Sequence, residues 1–329
     1  MRCIFRSFRH LAVLLAALAS SAGAQPDLRA PADVSLLADG SGSYVFSTFD
    51  AARDETSRYR IYLAVPRQAP PRAGHPIVYF LDGNAVLDVL GARPALLQAA
   101  ADRAAPPVLV LIGYETPARF DVKARAYDYT PPAPLAPGES VLEDRPGSGR
   151  RAGGAEVFRD FLAGRLKPAV EARLDALGRR IDPSRQGLWG HSYGGLFVLY
   201  VLLTHPADFQ EYYAVSPSLW WRDGWLRRLA EAPPAQPFAG TVALLALAGA
   251  DEAGEKRKRN VSARPGTEDA RPARASGEGV RDLAAQLDAR SGYRARAILM
   301  DGKSHGEMFS VGLEAALRET AKGPPAAPQ

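Results

Sequence analysis

A serine between closely spaced glycines is the residue of this 329-residue chain best suited to nucleophilic chemistry. Gly190, Ser192 and Gly194 match the pattern G-x-S-x-G, in which a tight turn lifts the serine hydroxyl above a sheet. That turn needs small residues two positions before and two positions after the serine, and glycine meets this need. An apolar strand precedes the pattern and an apolar helix, Leu196 to Leu203, follows it. The pattern therefore predicts a serine that attacks an acyl carbon.

A serine nucleophile needs a general base, and the chain contains five histidines. His10 lies in an N-terminal leader, while His75 and His205 adjoin prolines in predicted turns. His191 is next to the nucleophile, and neighbouring residues of such a turn are expected to point away from one another. His305 remains, in the loop between the last predicted strand and the final helix, where the serine–acid–histidine order of an α/β-hydrolase requires the base.

The acid of such a triad is expected after the predicted strand 241–248. Asp251 and Glu252 follow that strand directly, and Glu255 stands a few residues later. Asp251 is the first candidate for orienting the base. A serine–histidine dyad that works without an acid is the alternative.

An oxyanion that forms on the attacked carbonyl needs two backbone donors. The N–H of Tyr193, the residue after the nucleophile, is expected to supply one. The other is expected from the loop after the apolar strand Ile77–Leu81, where Asn84 and Gly83 are the candidates.

Continuous apolar runs at 77–81 and 108–113 are typical of strands that are buried on both faces. A helix is predicted between them at 85–101, so that strand and helix alternate and favour a mostly parallel central sheet flanked by helices. The sequence also predicts an amphipathic helix at 155–178 with a kink at Pro168. Further strands are predicted at 44–49, 59–65, 212–216, 241–248 and 295–300, and further helices at 280–287 and 309–317.

Two segments interrupt this regular order. Residues 115–154 are rich in proline and glycine, and an insertion of this length between core elements is typical of a lid near an active site. The alternative is a disordered loop, although the aromatic stretch 125–131 should be ordered. Residues 251–279 form a basic loop, which is interpreted either as a solvated loop or as an attractor for an anionic ligand.

The N-terminus has the pattern of a secretory signal peptide at residues 1–24, with a basic start, the apolar run 11–19 and small residues before Gln25. After its removal, we expect one domain, 25–329, in the periplasm. The single cysteine, Cys3, leaves with the signal peptide, and the formal net charge falls from +5 to about +2 because three arginines and no acidic residues are removed. The chain shows no nucleic-acid motif, no later membrane span and no cluster of metal ligands, so we expect a small-molecule substrate and no cofactor.

Four motifs occur in an order that is similar to one family: LDGNAV at 81–86, RAYDYTP at 125–131, GHSYGG at 190–195 and SPSLW at 216–220. The chain resembles the Putative esterase branch of the α/β-hydrolases, and within it the periplasmic esterases of enterobactin and salmochelin. The resemblance implies that Ser192 and His305 cleave the esters of a tricatecholate trilactone, with the triad acid reduced or absent. It implies oxyanion support from the loop at Asn84.

The resemblance also suggests residues that contact the ligand. Arg125 is the candidate for holding anionic oxygens, since a guanidinium suits catecholate and carboxylate groups. The alternative for Arg125 is an ion pair with a neighbour such as Asp128. Trp220 and Trp221 are expected to line an aromatic pocket or to lie in the core. Two other functions remain open: a general carboxylesterase for small acyl or aryl esters, and a siderophore-binding protein without catalysis.

Overall fold

The structure is a computed structural model that describes residues 30–232, 238–250 and 277–320. The predicted signal peptide at 1–24, the candidate acid Asp251 with Glu252 and Glu255, and nearly all of the basic loop lie outside the described residues. The assignment of 25–329 to one domain stays a prediction.

An eight-stranded mixed sheet forms the centre of the described chain. The pairs β1/β2 and β2/β4 are antiparallel, and the remaining five pairs are parallel, so the predicted mostly parallel sheet is confirmed. The spatial order is β1-β2-β4-β3-β5-β6-β7-β8. The strands are β1 (Tyr44–Ala52), β2 (Arg58–Pro66), β3 (His75–Phe80), β4 (Val108–Tyr114), β5 (Ile181–His191), β6 (Glu211–Val215), β7 (Val242–Gly249) and β8 (Tyr293–Met300).

Helices cover both faces of the sheet, which explains why β3 and β4 are buried along their length and, apart from His75 at the start of β3, consist almost entirely of apolar and aromatic residues. One apolar core includes residues of α5, α6, α7, α8 and α9, and the other includes residues of α1, α2, α3 and α10. The helices are α1 (Leu36–Asp39), α2 (Gly83–Ala92), α3 (Pro94–Ala101), α4 (Ala124–Asp128), α5 (Ala155–Phe161), α6 (Lys167–Ala176), α7 (Tyr193–Thr204), α8 (Trp225–Glu231), α9 (Gly277–Asp288) and α10 (Glu307–Thr320).

Two predicted helices are interrupted at prolines. The helix predicted over 85–101 is two helices, because Pro94 forces the preceding Arg93 out of helical geometry, at φ −133°. The helix predicted over 155–178 contains one π-helical turn, Leu162–Leu166, directly before α6, whose second residue is Pro168. Proline has no backbone N–H to donate to the preceding turn, which accounts for the change in helical hydrogen bonding before Pro168.

The insertion 115–154 contains one short helix, α4, and is otherwise without helices or strands. Its front part is ordered, as predicted, because Asp128 is buried and bound by three partners. Arg53 Nη1 donates to it at 2.7 Å, and the hydroxyls of Tyr59 and Tyr114 donate at 3.0 and 3.2 Å. These contacts fix the insertion against β2 and β4.

Candidate active site

Ser192 occupies the turn between β5 and α7 in a strained backbone conformation, with φ 61° and ψ −113°. A residue with a Cβ rarely adopts this positive φ, so the surrounding structure must impose it. The Ser192 amide donates to the Val215 carbonyl at 2.9 Å, and the Ser192 carbonyl accepts from the Leu196 amide at 3.0 Å. The sheet and the first turn of α7 therefore hold the serine in place.

The glycines around the serine are not equally constrained. A Cβ on Gly190 would lie 2.4 Å from the carbonyl carbon of Gly194, closer than real Cβ atoms approach other atoms. A Cβ on Gly194 would meet nothing closer than a Leu81 methyl at 3.4 Å, which is ordinary contact. The prediction that the turn needs a small residue is right for 190 and wrong for 194. The second tight position is Gly195, whose Cβ would lie 2.8 Å from the Val215 carbonyl oxygen.

His305 lies beside the serine, as predicted, with its Nε2 atom 3.1 Å from Ser192 Oγ. Its loop joins β8 to α10, and a capping box fixes the end of that loop. The Glu307 carboxylate accepts from the amide and hydroxyl of Ser304 at 3.0 and 2.7 Å, and the Glu307 amide donates to Ser304 Oγ at 3.3 Å. The spacing S-x-x-E at 304–307 is the sequence signal for this device.

A second hydroxyl lies close to the nucleophile and was missed in the sequence. Ser218 is buried, its Oγ is 3.4 Å from Ser192 Oγ, and its amide donates to the Ser192 carbonyl at 3.1 Å. The loop after β6 therefore approaches the nucleophile directly. No spacing rule in the sequence distinguishes this serine from other loop serines.

The predicted oxyanion donors lie at two helix N-termini, where backbone amides lack intrahelical acceptors. Tyr193 is the first residue of α7, and Gly83 and Asn84 are the first two residues of α2. The Asn84 side chain has another role, because its Nδ2 donates to the carbonyls of Tyr114, Thr116 and Ala118 and its Oδ1 accepts from the Tyr114 amide. For Asn84, the backbone amide is therefore the candidate donor.

Arg125 forms a bidentate ion pair with Asp82, with both nitrogen–oxygen distances at 2.9 Å. Asp82 is buried in a left-handed conformation directly before α2, and Arg125 Nη2 also donates to the His191 carbonyl at 3.4 Å. This geometry favours the ion-pair alternative over the ligand-holding role. The suggested partner was wrong, however, because Asp128 pairs with Arg53.

Asp144 and Arg145 of the insertion contact Tyr193 and Trp220 beside the nucleophile, and we call this part of the structure the rim of the site. The half-buried Trp220 ring lies 6.0 Å from the Tyr193 ring, and the exposed guanidinium of Arg145 stands 5.2 Å over Trp220. The Tyr193 hydroxyl donates to Asp144 at 3.2 Å. Trp221, in contrast, is buried in the core. Arg145 was missed because its position depends on the path of the insertion.

His191 has a contact that the sequence did not predict. Its side chain was expected to point away from the serine. Its Nε2 atom lies 2.8 Å from the backbone oxygen of His305, and the two imidazole rings lie 4.7 Å apart. Burial, followed by the nearby His305 and Arg125, lowers the pKa of His191 well below its usual value. The residue is therefore a neutral side chain between the turn and the base.

Comparisons with known proteins place this site in a family. The family model described as Putative esterase matches residues 55–251, more than half of the chain. The chain belongs to the Putative esterase family. Apo-salmochelin esterase of Escherichia coli O6:H1 is 43% identical over 216 residues, covering 64% of this chain and 63% of that protein. Ferri-bacillibactin esterase of Bacillus subtilis is 41% identical over 181 residues, covering 52% of this chain and 57% of that protein.

A solved structure of an enterobactin and salmochelin hydrolase is 34% identical, with a TM-score of 0.65, and the match covers 88% of this chain and all of that one. The predicted α/β-hydrolase fold is confirmed for this member of the Putative esterase family. The aligned segments span less than two thirds of the two curated esterases.

Within the part of the chain that the structure describes, no three histidine, cysteine, aspartate or glutamate residues are grouped to hold a metal ion. The helices of the same residues are too short or too polar to cross a membrane.

Proposed function

We propose that this chain is a serine ester hydrolase that opens a catecholate siderophore trilactone of the enterobactin and salmochelin type and so assists iron acquisition. The observation that carries the proposal is the 3.1 Å separation between Ser192 Oγ and His305 Nε2 at a strained turn. The relatives support the substrate class, because their names specify salmochelin, bacillibactin and enterobactin.

The first half of the reaction transfers an acyl group to the serine. Neutral His305 accepts the Ser192 proton at Nε2 while Oγ bonds to the ester carbon. The carbon–oxygen bond of the lactone then breaks, and His305 returns the proton to the leaving alkoxide. Because the ester is part of a ring, the alcohol stays attached and the whole opened trimer remains on Ser192.

The second half releases that trimer. His305 takes a proton from water, the hydroxide attacks the acyl carbon, and Ser192 Oγ leaves with the proton from His305. In both halves the negative charge on the carbonyl oxygen is stabilised by backbone amides, which we assign to Tyr193 and to Gly83 or Asn84. The ends of α7 and α2 favour negative charge there.

The residue that orients His305 belongs to the proposal as well. The described segment 238–250 ends at Ala250, directly after β7. The Ala250 amide donates to the Met300 carbonyl at 3.0 Å, so the end of β7 lies beside the end of β8, the strand that leads to His305. Asp251 follows directly and is the proposed acid. If Asp251 orients His305, Asp251→Asn lowers kcat. If a serine–histidine dyad works without an acid, Asp251→Asn leaves kcat unchanged.

The residues at the rim of the site are suited to bind an aromatic ligand that carries negative charge. Trp220 offers an aromatic face, and Arg145 adds an exposed positive charge 5.2 Å above it. A catecholate ring carries both properties that this pair recognises. The basic loop at 251–279 is a further proposed source of positive charge, and the signal-like segment 1–24 supports a periplasmic location.

Chromatography of the products tests the proposal. Purified protein and the Ser192→Ala variant are incubated with enterobactin or its ferric complex, and the trilactone and its linear trimer, dimer and monomer are followed over time. We expect the wild type to consume the trilactone and the variant to leave it intact. Rapid hydrolysis of nitrophenyl acetate with an intact trilactone would contradict the substrate class. Binding without cleavage by both proteins would contradict the enzymatic role.

A further inference from the structure

His191 connects the nucleophile turn to the loop of the base. Its Nε2 atom lies 2.8 Å from the backbone oxygen of His305. A carbonyl oxygen only accepts hydrogen bonds, so His191 carries its proton on Nε2 and donates it. The backbone of His305 is therefore held by a side chain that lies next to Ser192 in the chain.

The other side of His191 is fixed by the core of the site. It ends β5, where it pairs with Val215 in β6, and its carbonyl accepts from Arg125, which is bound in turn to the buried Asp82. The ring packs edge-to-face against Phe309 of α10, with centroids 5.5 Å apart. A rigid residue thus carries the donor that reaches the base loop.

We propose that His191 is a positioning residue, whose hydrogen bond to the His305 carbonyl sets the distance and angle between the imidazole of His305 and Ser192 Oγ. The inference rests on the proposed function, since it concerns the base of that reaction. It explains how the base keeps its position relative to the serine through a contact with the turn itself. Geometry of this kind matters because a displacement of about 1 Å can cost about 10²-fold in rate.

The electrostatics agree with this role. His191 is buried, and its lowered pKa keeps it uncharged at neutral pH. A charged donor at this position would stand beside His305 and would oppose the positive charge that His305 gains during proton transfer. A neutral donor positions the base without that cost. The amide of glutamine has the same property, with its nitrogen at nearly the same place in the side chain.

Matched variants separate hydrogen bonding from packing. His191→Gln keeps a donor, while His191→Met has a similar size and lacks one. Each is assayed for kcat and KM with nitrophenyl acetate, for the rate and final stoichiometry of labelling by a fluorophosphonate, and for its melting temperature. We expect His191→Gln to stay within about fivefold of the wild-type kcat and His191→Met to lose roughly 10²-fold, with KM changed little.

The labelling readout distinguishes positioning from folding. A positioning role slows labelling of Ser192 but leaves one label per molecule at completion, whereas a folding defect lowers the final stoichiometry. If His191→Met does not fold, His191→Asn replaces it, because its amide is one bond too short to reach His305. The inference is overturned if the donor-free variant keeps the wild-type kcat, or if His191→Gln loses as much. A wild type that neither hydrolyses the ester nor takes the label overturns the proposed function itself.

Discussion

The two glycines of the serine motif should respond oppositely to the same added methyl group. Gly190→Ala places a Cβ against the backbone of Gly194, at 2.4 Å from both its carbonyl carbon and oxygen. Gly194→Ala places a Cβ in ordinary contact, at 3.4 Å from Leu81 Cδ1 and 3.8 Å from the Asp82 carboxylate. The sequence pattern treats the two positions as equivalent, so this pair of variants tests the structure rather than the motif.

The size of the effect follows from the distances. For the new Cβ to reach the shortest real separation, 3.0 Å instead of 2.4 Å, the two backbones must move apart by about 0.6 Å. Overpacking of a rigid site costs about 1–3 kcal/mol of unfolding free energy, and such a displacement of the nucleophile costs roughly 10- to 10²-fold in kcat. Alanine at 194 has room and reduces the freedom of the unfolded chain, which stabilises by about 0.4–1 kcal/mol.

The assay combines thermal unfolding with ester hydrolysis. We expect Gly190→Ala to lower both the melting temperature and kcat for nitrophenyl acetate, while Gly194→Ala keeps the wild-type kcat within a few-fold and melts at the same temperature or slightly above it. Gly195→Ala serves as a second tight control, because its Cβ would lie 2.8 Å from the Val215 oxygen. Equal losses at 190 and 194, or a larger loss at 194, would refute the steric reasoning.

Three other variants test the surrounding charges. Arg125→Ala should lower turnover of enterobactin and of nitrophenyl acetate alike and cost about 3–5 kcal/mol of stability, because it leaves the buried Asp82 without its partner; a loss confined to enterobactin would restore the ligand-holding role. Arg145→Ala should raise KM for enterobactin and leave kinetics with neutral nitrophenyl acetate unchanged, and equal effects on both esters would contradict its role at the rim. Burial raises the pKa of the Asp128 carboxyl group from 3.8 to about 6, so the folded chain binds the carboxyl proton more tightly than the unfolded chain does. The free energy of unfolding of the wild type, relative to that of Asp128→Asn, should therefore fall as pH rises from 4 to 6. A rise over the same range, measured by denaturant unfolding, would mean that the charge of Arg53 dominates.

Much of the fold could be predicted from the sequence because its signals are local. Continuous apolar runs at 77–81 and 108–113 predicted strands buried on both faces, and they became β3 and β4, which are buried along their length. Ser192 and His305 were found because the motif fixes one and elimination among few histidines leaves the other. Prolines 94 and 168 marked the two helix interruptions, although only the second was used.

The contacts missed in the sequence are those between distant segments. The bond from His191 to the His305 carbonyl joins residues 114 positions apart, and no pattern around either one encodes it. The pairing of Arg125 with Asp82 was missed for the same reason, since a nearby aspartate was the simpler choice. The different demands at Gly190 and Gly194 depend on backbone distances that a motif does not contain.

The most direct test of the central claim is the intact mass of the protein, measured at early times after mixing with enterobactin and quenching with acid. Opening of a lactone by Ser192 expels no fragment, so we predict an acyl-enzyme heavier by the mass of one whole trilactone. Proteolysis should locate the added mass on the peptide that contains Ser192, and the Ser192→Ala variant should show none. Linear trimer formed by that variant, or an adduct on another peptide, would contradict the proposal that Ser192 is the nucleophile.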